Sequence, residues 1–334
     1  MQTSYCNSDI NVIGLGVDEV NSENLFQTLG SKDIVHLHWI HPFISNDKRM
    51  NDFCDLMRLV KMKKEVSIVW TVHNTVSHEC NQKEEELRRR KYASQFFDRL
   101  IVHSNYAALE VEKLYELEPS KIFVIPHGKY QVDVQRAYKL INKRSSIRKK
   151  MRLTLIGELR AYKNVEYAVD FVSRLNADIS PENFIELRIA GRCVSESQLE
   201  YLQNNASIKN FISLNLKRLS DEELFEEFCS ADFIFAPYSN SLTSGICINA
   251  ISHGRPFIAP NFKSLLELHS ESNSILYGNE GELWRQLLRC NDLFHRGLLS
   301  LSFNPQKIIG ESAHLEWSNI FSSLDRDPFD MNSL

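Results

Sequence analysis

Short apolar runs alternate with segments of helical spacing along most of the chain, and this alternation restricts the fold more than any single motif. In the first half the strand-like runs are 11–15, 34–38, 66–72, 100–103 and 122–125, with helical spacing over 46–63 and 82–97. Strands that alternate with helices predict a parallel sheet covered on both faces. The stretch 132–150 breaks the pattern: it is polar and basic, with Arg136, Lys139, Lys143, Arg144, Arg148, Lys149 and Lys150. It reads as a helical connection between domains, or equally as a solvated helix within one of them. Alternation then restarts, with strands at 152–156, 184–190, 211–214, 231–236 and 257–259 and helices at 164–175, 196–204, 221–229 and 246–252. The expected organisation is an α/β domain over 1–150, a second over 151–305, and a helix with tail over 306–334. In that last segment Trp317 and Phe321 stand at i, i+4 spacing, which suits a helix that crosses back to the first domain or an ordinary terminal one.

A length of 334 residues accommodates two such domains, and 43% hydrophobic with 25% charged residues is ordinary for a globular protein. The net charge of −4 argues against a general nucleic-acid binder. No apolar run reaches the roughly 18 residues a membrane span needs, and the start lacks the basic and apolar regions of a secretion signal. The expected location is therefore the cytoplasm. Seven dispersed cysteines without a CxxC pair point to reduced thiols.

The chemistry-bearing residues fall at the predicted strand ends. After the run 231–236 comes a turn of small hydroxyl residues and one glycine, Ser241, Thr243, Ser244 and Gly245, followed by the helix 246–252. A strand, such a turn and a helix make an anion site, because free N–H groups and the positive helix end meet there. An ordinary βαβ crossover with a polar turn fits the same residues. Gly157, Arg160 and Lys163 follow the strand 152–156 and open the next helix, which supplies the charge and fixed donors a diphosphate needs. Two solvated loop cations are the plainer reading. Gly128, after His127, gives backbone freedom for close approach to a ligand, or marks a plain turn. His36, His38, His73, His103 and His127 each lie at or just past a strand end, with Asn74 beside His73. No zinc-ligand spacing with a nearby carboxylate accompanies them, so no metal site is expected. The charge-dense run 84–91 pairs acids with bases at i, i+4 and reads as a solvated helix face. Its alternative is a basic face on anionic lipid, to which Lys61, Lys63 and Lys64 add.

Taken in order, HLHW (36–39), TVHN (71–74), DRLIVHSNYAALEV (98–111), KIFVIPHGKY (121–130), GELRAYKN (157–164), LRIAGR (187–192) and PYSNSLTSGICINAISHGRPFIAP (237–260) resemble the GT-B glycosyltransferases of family 4. Within that group the chain is similar to bacterial enzymes of exopolysaccharide and O-antigen repeat-unit synthesis. The resemblance implies two Rossmann-like, doubly wound parallel-sheet domains facing across a cleft. It also implies a cytoplasmic hexosyltransferase, peripheral at the inner membrane face, that uses a UDP- or GDP-sugar and a lipid-linked glycan acceptor without a metal or other cofactor. Arg160 and Lys163 would contact the diphosphate. Thr243, Ser244 and Gly245 would give donors to phosphate and sugar, and His73 would lie close to the transferred sugar.

Three positions depart from the family pattern. Its two glutamates, eight positions apart, fall on Ser241 and Asn249, of which Asn249 offers the ribose a neutral hydrogen bond. Its arginine after the glycine is Glu158, so that role passes to Arg160. Its glycine-rich loop after the first strand is missing unless Gly14 and Gly16 replace it. The family retains anomeric configuration, whereas an inverting relative would need a base, for which His78 or Glu79 is placed. A nucleotide-sugar epimerase and a non-catalytic scaffold of the same fold are the competing classes.

Overall fold

The computed structural model describes residues 11–77, 80–145, 149–269 and 273–299. His78, Glu79 and the segment 306–334, with Trp317 and Phe321, lie outside the described residues. The chain divides into two compact units at Gly128/Lys129.

The first unit is built from α1 (Ser22–Thr28), β1 (Ile34–Leu37), α2 (Asp47–Lys64), β2 (Ser67–Thr71), α3 (Lys83–Ser94), β3 (Arg99–Val102), α4 (Asn105–Tyr115) and β4 (Ile122–Val124). Its strands form one parallel sheet in the order β1-β2-β3-β4. Alternation along β2 sends Val69 to a cluster with Ile101 and Ile125. Trp70 points the other way, stacking on Tyr115 at 5.6 Å and meeting Phe97 at 5.4 Å. The predicted strand at 11–15 does not form: 11–16 is irregular and Val12, Ile13 and Leu15 are exposed. Gly14 and Gly16 weaken any strand there, and among the described residues no neighbouring strand supplies a ladder.

The helix α3 is solvated on one face only, with Glu84, Glu85 and Arg88 exposed. Glu86, Arg89 and Arg90 are buried. Arg88 pairs with Asp47 and Glu85, Lys91 with Glu116, and Arg90 with Glu86 at 2.7 Å. Lys61, on α2, is likewise tied to Asp98 at 2.5 Å.

The second unit contains α5 (Val134–Ser145), β5 (Arg152–Ile156), α6 (Val165–Ala177), β6 (Glu186–Ala190), α7 (Glu196–Ile208), β7 (Ile212–Asn215), α8 (Asp221–Ser230), β8 (Phe233–Phe235), α9 (Gly245–Ser252), β9 (Phe257–Pro260), α10 (Lys263–Leu266), β10 (Ser274–Tyr277) and α11 (Glu280–His295). The basic stretch 132–150 therefore belongs largely to this unit. Ala137 and Ile141 of α5 pack on Cys229 beside Phe225, and Arg136 pairs with Glu222.

The six parallel strands run β10-β9-β8-β5-β6-β7. Leu153, Leu155, Leu187, Ile189, Phe233 and Phe235 face one apolar cluster, and Ile156, Ala190, Ile234 and Ala236 face another with α9. Strand order reverses between β5 and β8, and in such sheets the crevice at the carboxyl ends of those two strands is the ligand position. Among the described residues no helix is long and apolar enough to cross a membrane.

Candidate functional site

The carboxyl ends of β5 and β8 gather one half of the predicted site. Gly157 follows β5 with φ +96°, a conformation that favours glycine. An added Cβ there would lie 2.8 Å from Lys163 Nζ and 3.3 Å from Ile246 on the first turn of α9. Lys163 is 3% exposed, and its ammonium donates to the Ile156 carbonyl at 2.9 Å. Burial pushes its pKa down to about 8, so the charged form still dominates at neutral pH. Among the described residues no carboxylate forms an ion pair with it. A buried ammonium with one of three donors used is an unmet demand for an anion.

The turn before α9 supplies the opposing wall. Ser244 is the N-cap and accepts from the Cys247 amide at 3.3 Å. Gly245 opens the helix, leaving its first amides without intrahelical partners. Thr243 Oγ1 and Asn249 Oδ1 are buried without a hydrogen-bond partner among the described residues. The Ser241 carbonyl is taken by Ser264 Oγ at 2.6 Å, while Asn164 Nδ2 donates to the Pro237 carbonyl at 2.8 Å and ties the two strand-end loops together.

Arg160 is held differently from the expectation. It forms a 2.7 Å ion pair with Glu158, which also pairs with Arg192. The hydrogen bonds from Arg192 and Arg160 hold the Glu158 carboxyl below its ordinary range. Lys163, not Arg160, carries the unpaired charge of this cradle. Gly191 went unassigned in the sequence although its segment was singled out. With φ +143°, an added Cβ would sit 2.0 Å from the Gly157 carbonyl oxygen. A hollow of about 330 Å³ lies elsewhere, lined by Arg152, Glu186, Arg188 and Glu227 among others. Its arginines are paired with its own carboxylates at 3.1 and 2.5 Å, so it offers no comparable unmet charge.

The first unit places one histidine past the end of each strand: His38, His73, His103 and His127. Ring centroids step 5.4 Å from His38 to His73, 5.4 Å to His103 and 5.0 Å to His127. Trp39 stacks on His73 at 4.8 Å, and His38 Nδ1 meets His73 Nε2 at 3.1 Å. His36 contacts Thr71 Oγ1 at 2.8 Å. His103 Nδ1 lies 2.8 Å from the Ile125 carbonyl and His127 Nδ1 2.7 Å from that of Gly128. A carbonyl only accepts, so both rings carry a proton on Nδ1 and leave Nε2 as an acceptor. His38 Nε2 and His103 Nε2 are buried without partners. Burial, then charge repulsion within the row, lowers the pKa of His36 and His73 to about 4 and of His38 and His103 to about 3. The row is thus neutral at pH 7. Among the described residues no group of three metal-ligating side chains has the geometry for an ion.

The loop with His73 and Asn74 is fixed from α3. Arg90 donates to the Asn74 carbonyl at 2.8 Å, and Glu86 accepts from the Ser77 amide at 2.9 Å. Gly128 is not in the left-handed region, and an added Cβ would meet no protein atom within 4 Å, so neither torsion nor packing within the protein requires glycine there.

Two parallel-sheet α/β units, one with a strand-order reversal and an anion cradle, fit the GT-B fold, and solved structures agree. Pneumococcal O-GlcNAc transferase GtfA, in complex with UDP and GlcNAc, matches with a TM-score of 0.63 at 15% identity over 92% of this chain; the chain spans 60% of GtfA's length. Anabaena HepE in complex with UDP matches at 0.64 and 13% identity, over 87% of this chain and 79% of HepE. Residues 30–129 match Glycosyltransferase Family 4. A curated relative, the GDP-mannose:glycolipid 4-beta-D-mannosyltransferase of Xanthomonas campestris pv. campestris, is 24% identical over 264 residues, 77% of this chain and 67% of the relative. The chain is a glycosyltransferase of GT-B fold, similar over residues 30–129 to Glycosyltransferase Family 4.

Proposed function

We propose that this glycosyltransferase moves a hexose from a nucleoside diphosphate sugar, GDP-mannose before UDP-sugars, to a lipid-linked glycan. The observation that carries the reading is the buried, anion-deficient Lys163 ammonium between Gly157 and the first turn of α9. A nucleotide diphosphate supplies the negative charge that this cradle lacks. The names of the sequence relatives favour guanosine and a glycolipid, and the bound UDP of the structural neighbours favours a diphosphate in general.

Catalysis then rests on leaving-group stabilisation. Lys163 and the α9 amides take the charge that develops on the departing diphosphate, in a site where it is worth more than in water. His73 presents Nδ1 to the sugar or acceptor, because Nε2 is committed to His38. With its charge borne by side chains and amides, the reaction is expected to proceed in EDTA; full dependence on manganese would contradict this part.

A thermal-shift series with GDP, UDP, ADP, GDP-mannose and UDP-glucose tests the reading, since a ligand of the folded state raises Tm. GDP or GDP-mannose is expected to give the largest shift, and Lys163→Ala is expected to remove it. With GDP-mannose and a lipid-pyrophosphate glycan, Lys163→Ala and His73→Ala should each lower kcat/KM by about 100-fold or more. No stabilisation by any of the five compounds, or ordinary rates in both variants, would sink the assignment.

A further inference from the structure

The second unit opens with a residue that the family comparison leaves unassigned, Tyr130. Its amide donates to Ser252 Oγ at 3.1 Å, and Ser252 Oγ in turn donates to the Ile248 carbonyl at 2.8 Å. Its phenol oxygen lies at the other end of the same helix, 3.1 Å from where a Gly245 Cβ would stand. Tyr130 therefore spans α9 from its last residue to its first, along the face that carries Gly245, Asn249 and Ser252 at i, i+4 and i+7.

Two further observations make this face a ligand wall and not only a packing contact. Asn249 is 8% exposed, and its Oδ1 has no hydrogen-bond partner among the described residues. Gly245 has no left-handed torsion to explain it, and the atom that a side chain there would strike is the Tyr130 hydroxyl. Glycine at this position keeps space between a phenol and the open amides of a helix start. The phenol is a donor under all ordinary conditions, because burial pushes its pKa up. A hydroxyl that donates, a buried ammonium and free amides together match the oxygens of a diphosphate, while the unfilled Asn249 acceptor matches a ribose hydroxyl.

We infer that Tyr130 completes the donor site, its hydroxyl donating to the nucleotide diphosphate bound at the start of α9 while its ring walls the ribose against Asn249. The inference rests on the proposed donor site and gives a role there to Tyr130, to which the family resemblance assigned none. Tyr130 replaces, by a neutral donor on the phosphate side, part of the hold that carboxylates at 241 and 249 would have on the nucleoside.

Titration calorimetry with GDP, UDP and guanosine on the full chain tests it. Tyr130→Phe keeps the ring and the amide bond to Ser252 and removes only the hydroxyl. The expected result is a Kd for GDP weakened about tenfold, as for loss of one hydrogen bond to a charged group, with guanosine binding and the ligand-free Tm unchanged. Lys163→Ala should weaken GDP further in either background. A Kd for GDP within twofold of the parent in Tyr130→Phe, with Lys163→Ala still defective, overturns the inference and leaves the donor site standing. Equal weakening of GDP and guanosine also overturns it, since that assigns the hydroxyl to the nucleoside. If the parent protein binds neither GDP nor UDP, the donor-site reading falls and the inference falls with it.

Discussion

Gly191→Ala is expected to cost the second unit about 4 kcal/mol or more, enough to leave little folded protein. The reason is geometric. A Cβ on Gly191 would lie 2.0 Å from the Gly157 carbonyl oxygen and 2.6 Å from its carbonyl carbon, both backbone atoms that no rotamer moves aside. The torsion of +143° adds strain of its own for any side chain. Relief requires the loops after β5 and β6 to part, yet the Gly157 amide is bonded to Ala190 and the Leu159 amide to Arg192, each at 2.9 Å. The same displacement would carry Gly157 away from Lys163, so surviving folded protein should also bind GDP poorly. Gly128→Ala is the control, because open space and an ordinary torsion predict a change within 1 kcal/mol, of stabilising sign. Urea unfolding of both variants decides: a Gly191→Ala midpoint indistinguishable from the parent would mean that the two loops do not cross as described.

Mild acid should unfold the first unit well before carboxylate titration begins. His36, His38, His73 and His103 are held neutral in the fold, with pKa values of about 4, 3, 4 and 3, against an ordinary 6.5 in the unfolded chain. For a base whose folded value is depressed, the unfolded chain binds the extra protons. The contribution is complete above 6.5 and is lost as pH falls toward the folded values. At pH 5 one such ring costs about 2 kcal/mol. The four rings together cost on the order of 8 kcal/mol, comparable to the stability of a whole domain. Trp70 lies in the core of this unit, so its fluorescence reports the transition. The urea midpoint is expected to fall steeply from pH 7 to pH 5, and less steeply in His103→Gln, which removes one of the buried rings. A flat profile over that interval would show the rings to be accessible to protons in the folded state.

Both expectations depend on placements of which the sequence carried only a part. The alternation of strand and helix was legible because period-two and period-3.6 patterns are local, and every predicted strand from 34 onward forms within a few residues. The stretch 11–15 misled for the same reason: its apolar pattern suits a strand, but a strand needs a neighbour, and none pairs with it. The last strand and helix, β10 and α11, followed the end of the predicted pattern. A cap was nonetheless present in Asn279, whose side chain accepts from the Glu282 amide at 2.9 Å. The run 84–91 is solvated in part, and the sequence did not single out its buried members because i, i+4 charge pairing describes a solvated face and a buried pair alike. Only the fold turns Arg90 and Glu86 inward to hold the loop of Asn74.

The sequence by itself determined that the chain is a two-part α/β protein with strand-end glycines, hydroxyls, cations and histidines, because turn chemistry and periodicity are written within a few residues of each other. Tertiary structure alone decided which of those residues act together. It reversed the strand order between β5 and β8, joining Gly157 and Lys163 to the start of α9. It gave Arg160 to Glu158, and it set His38, His73, His103 and His127 side by side on four adjacent strands. Charge pairing and desolvation act through space between residues tens of positions apart, and no local pattern carries that information.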